Sequence, residues 1–379
     1  MADFLKNILM FLVVGILIGV VGILILKNGE TNQINNSQNT TQIIQTKAEL
    51  EIITINPSIC SICRSTEGIN LYVSQSAQRD NFSISAEKTI NFPDSQTNEL
   101  VRKYKIDRLP AVIIRATRGE IPQSFTQEFE SYLGSVEADG VLVMRNVDAP
   151  YLNTSQNKIV GIVEGTAIYK QGCEKCLDPA KYFQALEGEE IGIVFSTKDS
   201  LEVDTPKASE LIAKYNITKF PALILSEEAY EYGAFNQYIA NAGEKIQNKF
   251  VIKQPIAPFF DLSQNKTVGL VDALIINPVN CANCTNISGI VGGISVQGGI
   301  VLDQTREIYE NETDAREIIT RLNITKLPTL ILSDEMKYYL GLEEEWIRYG
   351  NSIEENGSYV LRSPESLSLN WTHVNMSSN

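Results

Sequence analysis

The sequence predicts an α/β array of three tandem units, each a central sheet flanked by helices, behind one N-terminal apolar segment. Three observations lead there. The same wording occurs three times: a hydrophobic strand runs into C-x-x-C, and further on a helix runs into a Leu-Pro or Phe-Pro step and another hydrophobic strand. The copies read CSIC with YKIDRLPAVII, CEKC with YNITKFPALIL, and CANC with LNITKLPTLIL. The spacing is also even. Cys60 to Pro110, Cys173 to Pro221 and Cys281 to Pro328 span 50, 48 and 47 residues, and successive first cysteines lie 113 and 108 apart. Those intervals suit a small α/β domain repeated, not one large core. Finally, strand and helix patterns alternate within each copy, which calls for a mainly parallel, helix-covered sheet.

In chain order, Ile8 to Leu26 comes first, an uncharged run bracketed by Lys6 and Lys27. A helix of that length spans roughly 28 Å, enough for a bilayer core. The run exceeds the usual signal-peptide core of about 7–15 residues and no A-x-A pattern follows, so a retained transmembrane helix over 8–26 is expected. Residues 28–47 are rich in Asn, Gln, Thr and Ser and read as a flexible stalk. N-x-S/T sequons such as Asn39, Asn153, Asn216 and Asn323 recur along the chain, which suits an extracytoplasmic surface. Asn216 and Asn323 serve equally as helix ends.

Repeated wording also marks the unit borders. APYLNTSQNKIVGIVEG from Ala149 parallels APFFDLSQNKTVGLVDA from Ala257, giving units over 48–155, 156–263 and 264–379. Each unit is expected to open on a strand (50–55, 159–168, 268–276). C-x-x-C should then start a helix. One strand is expected within 81–93 and another at 191–196. Helices are expected over 98–104, 208–215 and 314–322, and post-proline strands over 111–114, 222–225 and 329–332.

A strand, C-x-x-C at a helix start and a downstream X-Pro-strand step resemble the thioredoxin-like superfamily. The resemblance covers all three units. It implies that Pro110, Pro221 and Pro328 are cis and that their loops pack beside the cysteines. The motif departs from thioredoxin itself: no tryptophan precedes any pair, and the family's buried aspartate, six residues before the first cysteine, is replaced by Thr54, Ala167 and Ile275. The chain therefore resembles a divergent member.

Thiol–disulfide exchange needs one attacking thiolate and one resolving thiol. At a helix N-terminus the first sulfur of C-x-x-C would face unpaired N–H groups, which lowers its pKa. This assigns Cys60, Cys173 and Cys281 as attacking and Cys63, Cys176 and Cys284 as resolving thiols. Glu174 and Lys175 would tune the second site in opposite senses, so unequal potentials are expected. Glu51, Glu164 and Asp272 lie nine residues before the first cysteine of their units and are candidate proton shuttles; a charge repeated merely because the units are copies explains them equally.

The three pairs use all six cysteines, and the single histidine, His373, stands in a polar tail. No metal site is expected, since the C-x-x-C knuckles lie over a hundred residues apart, and no cofactor beyond redox-active disulfides. A net charge of −14 argues against nucleic acid as a partner. No P-loop, dinucleotide fingerprint or nucleophile–His–Asp set occurs. Two readings stand. One is a membrane-anchored oxidoreductase or isomerase, with exported or unfolded protein clients and a thiol redox partner. The other is a surface scaffold whose C-x-x-C pairs are structural disulfides.

Overall fold

A computed structural model describes residues 47–363 and 372–376. The segment expected as transmembrane helix, 8–26, and all but the last residue of the expected stalk, 28–47, lie outside the described residues. Among the described residues no helix is long and apolar enough to cross a membrane.

In the first third of the chain, β1 (Ala48–Pro57), α1 (Glu67–Arg79), β2 (Phe82–Phe92), α2 (Ser95–Lys103), β3 (Arg108–Leu109), β4 (Ala111–Arg118), α3 (Gln123–Tyr132), β5 (Gly134–Val136) and β6 (Leu142–Met144) follow one another. A hairpin, β7 (Tyr151–Asn153) and β8 (Lys158–Val160), leads onward. The middle third contains β9 (Ile162–Tyr169), α4 (Pro179–Glu187), β10 (Val194–Glu202), α5 (Pro206–Tyr215), β11 (Lys219–Phe220), β12 (Ala222–Ser226), α6 (Gly233–Tyr238), β13 (Glu244–Ile246) and β14 (Lys249–Ile252). A second hairpin, β15 (Phe259–Asp261) and β16 (Lys266–Val268), precedes β17 (Val271–Asn277), α7 (Ile287–Gly298), β18 (Leu302–Tyr309), α8 (Thr313–Arg321), β19 (Lys326–Leu327), β20 (Thr329–Leu332), α9 (Leu342–Arg348), β21 (Ser352–Ile353), β22 (Tyr359–Val360) and β23 (Val374–Asn375).

Three five-stranded sheets result, in the orders β2-β1-β4-β6-β5, β10-β9-β12-β14-β13 and β18-β17-β20-β22-β21. In each, the strand before C-x-x-C lies between a parallel neighbour and the antiparallel strand that follows the proline. The sheets are thus mixed and not mainly parallel, because the post-proline half of each unit turns back as a meander. β-branched runs such as Ile52 to Ile55 are fully sandwiched between helix layers, so they carry no alternation. Local chemistry sets the helix ends. Asp94 and Thr97 form a reciprocal capping box at α2, while Asp178 and Thr205 cap α4 and α5, each of which begins with proline. Asn216 ends α5 in the left-handed region.

The structure departs from two further sequence expectations. The strands anticipated over 159–168 and 268–276 are each broken by a glycine with positive φ, Gly161 (+89°) and Gly269 (+81°). A side chain at Gly161 would collide with Ala149, and one at Gly269 with Ala257. The halves before the break leave the central sheet as β8 and β16. The second correction concerns C-x-x-C, which forms a turn ahead of the helix and does not open it. Cys176 N–H donates to Cys173 C=O at 3.1 Å and Cys284 N–H to Cys281 C=O at 3.3 Å, whereas α4 and α7 start only at Pro179 and Ile287.

The two hairpins join the units. Their faces alternate as a strand must. Leu152 is fully buried with Leu109, Ile55 and Ile106 of the first unit, and Ile159, its register partner, packs on the same cluster. Tyr151 and Val160 face the other way, into a core that runs continuously from the first unit to Leu223 and Phe235 of the second. In the second hairpin Phe260 packs on the middle unit while Phe259 and Val268 enter the core of the third.

Candidate functional site

All six cysteines are joined within their C-x-x-C motifs, with Cα–Cα separations of 5.5 Å for Cys60–Cys63 and 5.3 Å for both Cys173–Cys176 and Cys281–Cys284. Leu109–Pro110, Phe220–Pro221 and Leu327–Pro328 are cis, as are Ala149–Pro150 and Ala257–Pro258 at the unit borders. In the first unit both cysteines and Pro110 line one cleft of about 400 Å³, together with Thr54, Asn70 and Thr89. Thr54 is nearly buried, and the Oδ1 of Asn70 is buried without a hydrogen-bond partner among the described residues. Cys60 itself is only 8 % exposed, while Cys63 and both cysteines of the other two pairs are half-buried. Ile59 and Ile62 flank Cys60 and are largely exposed, as is Val279 near Cys281.

Because the turns precede their helices, the cysteines do not stand at the helix N-termini as the sequence suggested. Side chains occupy two of them instead: Asp178 accepts from Ala180 N–H and Asn286 from Ser288 N–H, both at 2.9 Å. The candidate proton shuttles are not brought to the cysteines either. Glu51 lies six residues before the end of β1, about 20 Å back along the strand at roughly 3.3 Å per residue. It is buried and held by Lys88 and Arg115, each at 2.5 Å. The Lys88 ammonium, with Arg115 beside it, keeps the Glu51 carboxyl below its ordinary range against the opposing effect of burial. Glu164 and Asp272 are exposed, Glu164 pairing with Lys249 at 3.2 Å.

What sequence reasoning missed is that each pair sits at a joint. The short strand before each cis proline is already paired: β3 with β7, β11 with β15, and β19 with β23. Beside the first pair, Arg64 N–H donates to Pro150 C=O at 3.0 Å, and the Arg64 guanidinium reaches Ala149 C=O at 2.8 Å and Ile191 C=O of the second unit at 3.4 Å. Beside the second pair, Lys175 reaches Asp303 at 2.7 Å and Leu302 C=O at 3.0 Å in the third unit. The Thr267 hydroxyl of β16 lies 3.4 Å from Cys173 Sγ. Beside the third pair, Thr285 and Thr372 exchange two hydrogen bonds, so the tail covers that site. His373 follows Thr372 and precedes Val374, which pairs with Leu327. The one histidine is therefore docked at the third site, and not loose in a tail; its Nδ1 is buried with no partner among the described residues. The doubled A-P…S-Q-N-K wording was the available signal for these joints.

No family model and no curated protein matches the chain. Among solved structures, similarity is found to the NTD_N/C domain of alkylhydroperoxide reductase AhpF from Enterococcus faecalis at 13 % identity and TM-score 0.16, covering 48 % of this chain and 83 % of that one. ERdj5 form II aligns at 10 % identity and TM-score 0.15, over 90 % of this chain and 41 % of its own length. Human ERp44 aligns at 9 % and 0.14, over 84 % and 92 %. Superposition this poor lends no weight to any function. The resemblance to a thioredoxin-like fold rests on the strand order, the C-x-x-C turn after the central strand and the cis proline before its antiparallel neighbour.

Proposed function

We propose that this chain is a thiol–disulfide oxidoreductase or isomerase, held at a membrane by residues 8–26, whose three thioredoxin-like units (48–155, 156–263 and 264–379) act on exported proteins. The observation that carries the reading is the first cleft, lined by Cys60, Cys63 and cis Pro110 and flanked by exposed Ile59 and Ile62. In the oxidised pair a client thiolate attacks Cys60 Sγ, forming a mixed disulfide and expelling Cys63 as a thiolate. A second client thiolate attacks the client sulfur of that bond and releases Cys60. Two electrons pass to the pair, the client gains one disulfide, and a thiol redox partner bearing a disulfide takes the electrons away. The apolar isoleucines would hold an unfolded client while this occurs.

One observation favours a second reading, a scaffold with structural disulfides. All three pre-proline strands already pair along one edge within the chain, so a client strand could not add along that edge. Trapping separates the two. Cys63→Ala, Cys176→Ala and Cys284→Ala chains, expressed with their anchor, should accumulate mixed disulfides through Cys60, Cys173 and Cys281, visible as adducts that thiol reductant removes. Absence of adducts in all three, with reduction potentials far below those of glutathione, would leave the scaffold.

A further inference from the structure

We infer that Thr267 is a positioning residue for the second cysteine pair, reaching across the joint from the third unit to set the thiolate character of Cys173. This rests on the redox reading above and specifies how one of its sites is regulated. The Thr267 hydroxyl donates to Cys173 Sγ at 3.4 Å, within reach for a sulfur acceptor. It is held there by register. Thr267 pairs with Phe260 in the second hairpin, Phe260 packs on the middle unit, and its backbone pairs with Phe220, the residue before cis Pro221. The corresponding residue of the first hairpin is Ile159, paired with Leu152, which has no hydroxyl to offer. The third site is covered among the described residues by the single strand β23. Among the described residues, only the second pair thus receives a side-chain donor from the segment that follows it.

A hydrogen bond to sulfur is stronger when the sulfur is charged, so it favours thiolate over thiol and reduced over oxidised pair. The lysines around Cys173 are offset by carboxylate partners of their own. Lys175 is engaged by Asp303 at 2.7 Å, and Lys170 by Asp204 at 2.7 Å and Glu202 at 3.4 Å. Lys266, next to Thr267, pairs with Glu335 at 3.2 Å. Glu174 adds a neighbouring carboxylate, which disfavours the thiolate. The turn precedes its helix, whose first N–H groups are capped by Asp178. The hydroxyl is the remaining directed donor.

The test uses the full chain, reduced, then alkylated with iodoacetamide across pH 4–10, with each cysteine-bearing peptide quantified by mass spectrometry. Thr267→Val keeps the volume and removes the donor. It should raise the half-alkylation pH of Cys173 by about half a unit to one unit, which is roughly three- to tenfold slower alkylation at neutral pH. Cys60 and Cys281 should not move, and Thr267→Ser should restore the original profile. A Cys173 profile unchanged by Thr267→Val overturns the inference. So does a shift that Thr267→Ser fails to reverse, or one shared by all three sites, since either marks altered packing. The readout needs no client, so the two failures are distinguishable: a chain that trapped nothing yet showed the specific shift would sink the enzymatic reading and leave only the effect of Thr267 on the Cys173 thiol.

Discussion

Removing the side chain of Leu152 should uncover the first site without unfolding the first unit. Leu152 is fully buried on the inner face of β7, against Leu109, Ile55 and Ile106. Its truncation to alanine in such a core costs about 2–5 kcal/mol. The attachment it strengthens is small: two register pairs to β3, the Thr154 N–H on Asp107 C=O at 2.9 Å, the Thr154 hydroxyl on Ile106 C=O at 2.7 Å, and the Arg64 bonds. If the whole cost falls on the closed joint, its opening becomes about 30-fold to several thousand-fold more frequent at 25 °C. Native-state hydrogen exchange reads this directly. In Leu152→Ala, amides of Arg64 and of residues 152–154 should exchange faster by that factor, while those of β4, paired within the central sheet, keep their protection. Equal acceleration of β4 would mean that the residue belongs to the unit's general stability, and unchanged exchange at Arg64 would mean that the hairpin is not a cover at all.

Other expectations follow from buried polar groups. Tyr232 is fully buried; its hydroxyl donates to Gly161 C=O at 2.6 Å and accepts from Val194 N–H at 2.9 Å. Tyr232→Phe should cost about 1–3 kcal/mol for each stranded group, seen as lower urea resistance and lost protection of the Val194 amide. Tyr339, whose hydroxyl burial pushes up to about 12, bridges Gly269 and Val301 in the same manner, and Tyr339→Phe should loosen only the third unit. Glu51 has a lowered carboxyl pKa in the folded chain, so it binds its proton more readily when unfolded. Its contribution is full above the unfolded carboxylate pKa, about 4.3, and is lost as pH falls through that value toward the folded one. Glu51→Gln should therefore lower stability at pH 7 and flatten its decline between about pH 5 and 3, as followed by denaturant titration; a parallel decline in both chains would remove Glu51 from the account.

The strand, C-x-x-C, helix and proline grammar was legible because each part is local. β-branched runs, an Asn in the left-handed region after α5 and proline at a helix start are read within a few residues. The break at Gly161 was not, since glycine inside an apolar run looks like a weak strand position until Ala149 is seen pressing on it from the preceding segment. The same holds for the helix start after C-x-x-C: Asp178 and Asn286 are capping residues in plain view, and the cysteines drew the assignment upstream. Pairings across joints lay furthest from reach. Thr267 and Cys173 are 94 residues apart, and only the docking of a hairpin onto the previous proline brings them together. Glu51 shows the opposite failure. Its recurrence in sequence suggested proton chemistry, but a position six residues back from the end of an extended strand is far from the sulfur whatever its charge.

The two-faced hairpins bear on how such a chain is divided. A piece ending at residue 263 would keep Phe260 on its own surface and lose Thr267. The neighbouring piece would start with Phe259 missing from its interior. Neither half would report faithfully on the second disulfide, because the seam used for cutting runs through the keystone that both neighbours lean on.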